Sequence, residues 1–75
     1  MTSPGIYRHH KGGLYRVLFT ARQSTNGPDV GLPLVVYVSL TKGTVHVRDE
    51  QEFHEPIGGT TLGELNRFTY VGEQV

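Results

Sequence analysis

The chain has 75 residues, with seven basic and seven acidic side chains, ten glycines and no cysteine. This length allows a single domain with a thin hydrophobic core, and the lack of cysteine excludes a disulfide scaffold and any metal site built on thiolates. The longest apolar run covers residues 34–38, far short of the roughly 20 residues of a membrane-spanning helix. The first residues also lack the pattern of a signal peptide. We therefore expect a soluble cytoplasmic domain with no membrane partner.

The net charge of zero hides an uneven distribution along the chain. Residues 1–48 carry six bases and one acid, a net charge of +5, whereas residues 49–75 carry six acids and one base, a net charge of −5. Such asymmetry is typical of a basic binding surface with an acidic segment. The alternative, which we favour on charge alone, is that the two halves neutralise each other within one fold through weak surface pairs.

The first half of the chain predicts two strands joined by a glycine-rich turn. Residues 6–10 form the first strand, and the turn at residues 11–13 ends it. Residues 14–22 form the second, because their apolar and polar side chains alternate with the period of two of a half-buried strand. Its inward-facing side chains are Tyr15, Val17, Phe19 and Ala21.

The segment that follows predicts a loop and a hairpin. Residues 23–33 contain glycine and proline and form the loop. Residues 34–40 are β-branched and aromatic and form the third strand, and glycine at position 43 suits a tight turn before a fourth strand at residues 44–48. The side chains expected on the inner face of this hairpin are Leu34, Val36, Val38, Leu40, Val45 and Val47.

The C-terminal third predicts one helical turn and one further strand. Residues 49–55 form the turn and place Phe53 in the core, the glycines at 58 and 59 argue against a long helix in the connection, and residues 67–71 form the last strand. Five short strands with at most one helical turn predict an all-β fold, either a small, strongly curved five-stranded antiparallel sheet or an SH3-like barrel. We expect the domain to cover residues 5–73, with residues 1–4 disordered and residues 74–75 as a tail.

The order of motifs along the chain resembles that of a known protein family. The opening segment reads Gly-Ile-Tyr-Arg-His-His-Lys-Gly at residues 5–12, Tyr-Arg-Val-Leu follows at 15–18, and Arg-Phe-Thr-Tyr-Val-Gly closes the pattern at 67–72. This resembles DUF1653, a family of small bacterial domains of unknown function whose members open with G-x-Y-R-H-Y-K-G. His10 replaces the usual aromatic residue of that motif, and His46 stands where tryptophan is common. The resemblance implies a small β domain and implies no reaction.

One candidate site lies in the opening segment. Its residues are Tyr7, Arg8, His9, His10 and Lys11. Aromatic rings beside cations suit stacking on bases and contact with phosphates. Because neighbouring residues of a strand point to opposite faces, His9 and His10 are not expected to share a site. The structural alternative, which we favour slightly, is that Tyr7 and His9 face the core while Arg8 and His10 are solvated.

A second candidate group is expected on the outward faces of the middle strands. It consists of Arg16, Arg22, Tyr37, His46 and Arg48. Together the two groups favour a non-enzymatic binding module that presents Tyr7, Arg8, His9, Lys11, Arg22, Tyr37 and Arg48 to an anionic partner, either a nucleic acid or an acidic protein segment. The alternative is an ordinary solvated sheet face whose arginines pair with the glutamates of residues 50–55.

Other functions have less support in the sequence. No HxH or HExxH spacing concentrates metal ligands, no nucleophile motif surrounds the serines, and no phosphate loop or dinucleotide fingerprint implies a cofactor. A small hydrolase or transferase using His9 or His54 is therefore a minor alternative. The structural alternative is a homodimer that hides an exposed strand edge or the apolar residues Ile57 and Leu62. We expect the chain to be a monomer or a weak homodimer.

Overall fold

The computed structural model describes residues 2–60 and 63–74, with the backbone alone considered at residues 58–60 and 63–65. The elements in chain order are β1 (Gly5–His9), β2 (Leu14–Arg22), β3 (Pro33–Ser39), β4 (Val45–Asp49), α1 (Glu50–Phe53), β5 (Pro56–Thr60), β6 (Gly63–Asn66) and β7 (Phe68–Gly72). The predicted all-β class with one short helical turn is confirmed. The bounds of β2 match the prediction, and the other four predicted strands are each displaced by one residue. No helix in the described ranges has the length and apolar character needed to cross a membrane.

Five of the strands form one antiparallel sheet in the order β4-β3-β2-β1-β7. This confirms the predicted five-stranded sheet, but β4 and β7 are its two edges, so the sheet is open and the barrel alternative does not form. Strands β5 and β6 pair with each other in a separate two-stranded sheet, where the sequence predicted only a connection. Leu62, which the homodimer alternative used, lies outside the described residues, as do Met1 and Val75 of the predicted terminal segments.

One face of the five-stranded sheet carries the hydrophobic core, and we call it the core face. Its buried side chains, together with Phe53 of α1, are Tyr7, Val17, Val35, Tyr37 and Phe68. The ring of Phe53 stacks on that of Phe68, with 4.2 Å between centroids and 4° between planes. The prediction that a helical turn places Phe53 in the core is confirmed. Full burial of such a ring stabilises the fold by about 1.5–3 kcal/mol relative to leaving it in water.

Helix α1 is short, and Asp49 fixes its start. The Asp49 side chain accepts a hydrogen bond from the Glu52 backbone N–H at 3.0 Å, which satisfies one of the donors left free in the first turn of any helix. The turn ends at Phe53, and His54 is its C-cap. Because Asp49 is also the last residue of β4, the cap ties the helix to the edge of the sheet.

The predicted inner faces of β3 and β4 are wrong. In β3 the buried side chains are those of Val35, Tyr37 and Ser39, not the even-numbered residues 34–40. In β4, Val45 and Val47 are exposed rather than buried. Since His46 pairs with Tyr37 and Arg48 with Val35, the polar phase of β4 shares the core face. A shift of one residue moves every side chain of a strand to the other face, and both phases of β3 are apolar enough to permit it.

A bulge in β2 has a similar effect within one strand. The register shifts between Val17 and Phe19, which pair with the adjacent residues Tyr37 and Val36. The extra residue, Leu18, reverses the alternation. Tyr15 and Val17 therefore lie on the core face as predicted, whereas Phe19 and Ala21 share the opposite face, which we call the outer face.

The segment before β1 contacts α1 through Thr2. Its backbone N–H and its hydroxyl both donate to Oε2 of Glu50 at 2.7 Å, and the hydroxyl lies 2.7 Å from Nε2 of His54. Thr2 is buried. The disorder of residues 1–4 and the domain bounds 5–73 remain predictions. Because of these contacts, a substitution of Thr2 tests whether residues 1–4 are disordered.

Candidate binding surface

The exposed border of the core face carries three rings that we call the imidazole–tyrosine cluster: His9, Tyr15 and His46. The Tyr15 ring lies between the two imidazoles, with its centroid 6.1 Å from each. It rests on the core, edge-on to Tyr37 at 5.5 Å and to Phe68 at 5.6 Å. The cluster forms because β1, β2 and β4 present these residues to the same side of one sheet.

His46 stacks on Tyr37 and closes the cluster on the β4 side. The two ring centroids are 5.5 Å apart and their planes differ by 24°. Nε2 of His46 lies 2.7 Å from the hydroxyl oxygen of Thr44. Tyr37 is buried beneath it, while His46 itself is exposed, so the imidazole face turned away from Tyr37 is open to solvent.

Two arginines lie beside this cluster, and each is partly neutralised. Arg48 donates from Nε to the Tyr37 hydroxyl at 3.2 Å and from Nη1 to Oε1 of Glu52 at 2.6 Å. This hydrogen bond to Tyr37 is the largest of the causes that raise the pKa of Arg48. Arg67 donates from Nε to the Glu52 carbonyl at 3.1 Å, and its Nη2 lies 3.8 Å from Oε1 of Glu55. Of the arginines that the predicted alternative paired with the glutamates of residues 50–55, Arg48 makes such a pair, whereas Arg16 and Arg22 donate to backbone carbonyls.

Burial and neighbouring cations both disfavour the charged form of His9. Burial lowers the pKa of His9, and the charges of His10, Arg48, Lys11 and Arg67 lower it further. Its Nδ1 also accepts a hydrogen bond from the Lys11 backbone N–H at 3.1 Å, so the neutral ring carries its proton on Nε2. The cationic neighbours favour an anion at this site, whereas burial, the largest cause of the shift, disfavours a charge of either sign.

The residues predicted to form one site separate into two sets. His9, Lys11, Tyr37 and Arg48 converge on the cluster, although Tyr37 supports it from the core rather than facing a ligand. The other three lie elsewhere: Tyr7 is buried, and its hydroxyl donates to the Ser3 carbonyl at 2.8 Å; Arg8 is exposed on the outer face; and Arg22, at the far end of β2, donates to the Gly31 carbonyl at 3.1 Å.

The second predicted group also divides. Tyr37, His46 and Arg48 share the core face, whereas Arg16 pairs with Ile6 and Val38 on the outer face. The expectation that His9 and His10 stay apart is wrong, because β1 ends at His9 and the chain turns there, which brings their ring centroids to 4.2 Å.

Sequence reasoning missed Tyr15 and Arg67 as members of the site. Tyr15 was correctly predicted to face inward, but its place at the border of the core leaves it half-buried. The mixed character of tyrosine, an apolar ring with a polar tip, was the available signal. Nothing in the sequence places Arg67 near Arg48, since 18 residues and three elements separate them.

The acidic groove beside α1 does not compete for an anion. An open groove of about 620 Å³ runs beside α1, but its side chains include Asp49, Glu50 and Glu55, which carry the wrong charge. The described ranges contain no group of three or more potential metal-ligating side chains. The imidazole–tyrosine cluster with its cations is therefore the best-supported binding surface.

The segment that gives this surface its first strand and turn lies within a longer region that matches a protein family. The family described as "Protein of unknown function (DUF1653)" matches residues 5–70. The chain belongs to the DUF1653 family. A crystal structure of a DUF1653 protein from Bordetella bronchiseptica is similar, with 32% sequence identity and a TM-score of 0.75 over 96% of this chain and 90% of that one. None of the curated proteins matches the sequence.

The DUF1653 opening motif has a clear structural role here. Gly5 has φ +137°, and a Cβ placed on it would lie 2.8 Å from the Gly72 carbonyl oxygen of β7. Gly12 has φ +103° and forms the turn after β1. Between them the motif places Tyr7 in the core and His9 against Phe68, with 5.0 Å between ring centroids. Membership of DUF1653 thus accounts for the fold and leaves the function open.

Proposed function

We propose that this domain is a non-enzymatic binding module whose imidazole–tyrosine cluster, together with Lys11 and Arg48, binds single-stranded nucleic acid. The observation that carries the proposal is the position of Tyr15 between two imidazoles, with Lys11 and Arg48 among the cations beside His9. Stacking of bases on rings and contact of phosphates with nearby cations are the two components of such binding. An acidic peptide would use the cations and leave the rings without a role.

The surface offers residues both for base stacking and for phosphate contact. The open imidazole face of His46 and the half-buried ring of Tyr15 are available to a base, and a stacked base contributes roughly 1–3 kcal/mol. Lys11 is exposed in the turn after β1, and Arg48 retains an Nη2 group beyond its bonds to Tyr37 and Glu52. These cations flank the rings, as a strand with a regular phosphate spacing requires.

The affinity should be modest and dependent on salt. Glu52 and Glu55 neutralise part of the charge of Arg48 and Arg67, whereas Lys11, the other cation beside the rings, is exposed. Each phosphate contact adds a salt-dependence slope of about −0.7 for a single strand. We therefore expect dissociation constants of about 10–100 μM at low salt, in the range of weak electrostatic binding.

Fluorescence anisotropy with a labelled single-stranded RNA at low salt tests the proposal through a matched pair of variants. Lys11→Ala and Arg8→Ala each remove one exposed positive charge, but Lys11 lies beside the cluster and Arg8 on the outer face. We expect Lys11→Ala to weaken binding about fivefold and to reduce the salt slope by about 0.7, with Arg8→Ala close to the unmodified chain. His46→Ala should weaken binding without changing that slope.

Two results would reject the proposal. One is the absence of binding at 100 μM protein, and the other is equal weakening by Lys11→Ala and Arg8→Ala, which would indicate a response to net charge alone. Competition by a polyglutamate peptide distinguishes the partner class. If the peptide displaces RNA at an equal concentration of charge, and His46→Ala has no effect, the partner is an acidic protein segment.

A further inference from the structure

The outer face of β2, β3 and β4 is apolar and exposed. Three of its side chains, Phe19, Val45 and Val47, are 56%, 62% and 58% exposed. They surround Val36 and Val38 of the central strand, which are half-buried. Contiguous apolar surface of this kind on a small domain marks an interaction site.

The register of the three strands arranges this face as three rows. The first row is Arg16, Val38 and Val45; the second is Phe19, Val36 and Val47; the third is Ala21, Leu34 and Asp49. Val36 lies at the centre of the array. The two charged residues of the array, Arg16 and Asp49, occupy diagonally opposite corners and have opposite signs. Within the chain each bonds a neutral backbone group, Arg16 the Glu73 carbonyl and Asp49 the Glu52 N–H, and these bonds leave both charges uncompensated.

We propose that this face is the interface between two copies of the chain. A two-fold axis that lies in the plane of the interface, passes over Val36 and runs across the Arg16–Asp49 diagonal brings each Arg16 over the partner's Asp49. The same operation places the partner's valines over the valines. Such an interface is isologous, because the same patch serves both copies, and the diagonal placement of the charges makes it complementary to itself.

Strand geometry gives the packing angle. With about 4.8 Å between strands and about 3.4 Å per residue, the corners of the array are about 10 Å apart across the strands and 14 Å along them. The axis that exchanges the Arg16 and Asp49 corners then crosses the strands of the two copies at about 70°, close to the orthogonal class of sheet packing. Both charged pairs lie at the border, where water limits their contribution and favours a role in orientation.

The area of the array determines how stable a dimer we expect. It is smaller than the roughly 800 Å² per partner of a standard interface, so the dimer should be weak, with a dissociation constant of about 10–100 μM. The nucleic-acid surface lies on the other face of the sheet. The dimer therefore leaves that surface free, and the two proposals are independent.

Sedimentation equilibrium of the full chain between 5 and 500 μM tests the interface. The variant Val45→Thr, Val47→Thr keeps β-branched side chains in β4 and removes apolar contact. We expect it to raise the dissociation constant at least tenfold. Val30→Thr is the matched control, because Val30 is 55% exposed but lies in the loop between β2 and β3, and we expect no change from it.

A charge variant tests the orientation. Arg16→Glu places two carboxylates together at each border contact and should weaken the dimer about fivefold. Adding Asp49→Asn removes the repulsion and should recover most of that loss, while an asparagine still caps α1. Circular dichroism confirms that each variant is folded.

Three results would overturn the proposal. A monomer at 500 μM rules out the interface. A dimer that the paired threonine variant leaves unchanged, or that Val30→Thr weakens equally, uses another surface. A dimer weakened by the threonines but insensitive to Arg16→Glu has a different orientation from the two-fold arrangement given above.

Discussion

The Nε group of Arg48 donates a hydrogen bond to the buried hydroxyl of Tyr37 at 3.2 Å. Tyr37 pairs directly with His46 in the β3–β4 ladder, so Arg48 is its diagonal neighbour, within reach of long side chains. The bond joins the core to the candidate binding surface. It holds the guanidinium beside the cluster and gives a buried phenol the partner that it needs.

Removing that hydroxyl should destabilise the fold. Tyr37→Phe leaves the ring in place but deletes the acceptor of Arg48, and we expect a loss of about 1 kcal/mol in the free energy of unfolding. Glu52→Gln weakens the other bond of Arg48, which is exposed, and should cost less than about 0.5 kcal/mol. Urea denaturation of both variants provides the measurement. If Glu52→Gln costs more than Tyr37→Phe, the exposed ion pair holds Arg48.

Gly5 should be the least replaceable glycine of the opening motif. A Cβ at this position would meet the Gly72 carbonyl oxygen at 2.8 Å in addition to adopting a positive φ, whereas a Cβ on Gly12 would meet nothing within 4 Å. Gly12→Ala therefore measures backbone strain alone, about 1–2 kcal/mol. Gly5→Ala should cost at least about 1 kcal/mol more, since β1 must move away from β7. Equal losses in thermal or urea unfolding would show that the β1–β7 contact relaxes without cost.

His9 should make the fold less stable in mild acid. Because its folded-state pKa lies below the ordinary value of 6.5, the unfolded chain takes up the proton more readily. The contribution of His9 to the free energy of unfolding is then constant above pH 6.5 and falls as the pH drops through 6.5 towards the lowered pKa. Protonation of Nδ1 also removes the acceptor of the Lys11 N–H.

His9→Asn offers a direct check of this pH dependence. Asparagine can still accept the Lys11 hydrogen bond through its side-chain oxygen but does not titrate. Urea midpoints between pH 7.5 and 5.5 should fall more steeply for the original chain than for the variant. The variant should keep part of the pH dependence of the urea midpoint, because desolvation and the charges of Lys11 and Arg67 lower the pKa of His10 as well. Parallel slopes would count against His9.

The contact of Thr2 with Glu50 predicts a second, more acidic transition. The Thr2 hydroxyl bond lowers the pKa of Glu50 below its ordinary value of 4.5, so this stabilisation is present above pH 4.5 and is lost as the pH falls through the lowered pKa. Thr2→Val should cost about 1 kcal/mol at pH 7 and less at pH 3.5. Thr2→Ser, which keeps the hydroxyl, should cost less at pH 7. No effect of Thr2→Val at either pH would support disorder of residues 1–4.

The candidate surface could be predicted only in part. The resemblance to DUF1653 and the charge pattern directed attention to His9, Lys11 and Arg48, which do converge. Arg8 was included as part of the contiguous opening segment, and Arg22 because its strand phase was predicted to share one outward face with Tyr37 and Arg48. The strand alternation sends Arg8 to the outer face, and the length of β2 carries Arg22 to the far end of the sheet.

The sequence by itself determined the presence of the five strands of the main sheet, the bounds of β2 and the burial of Phe53, because these depend on local period, turn glycines and one large apolar side chain. The tertiary structure alone decided which phase of β3 and β4 faces inward. In β3, Leu34, Val36 and Val38 are as apolar as Val35 and Tyr37, so the pattern of the sequence does not indicate which set is buried. The choice follows from packing: the stacked rings of Phe53 and Phe68 offer Tyr37 edge-on contacts at 5.5 and 5.4 Å, and that places the remaining valines on the outer face.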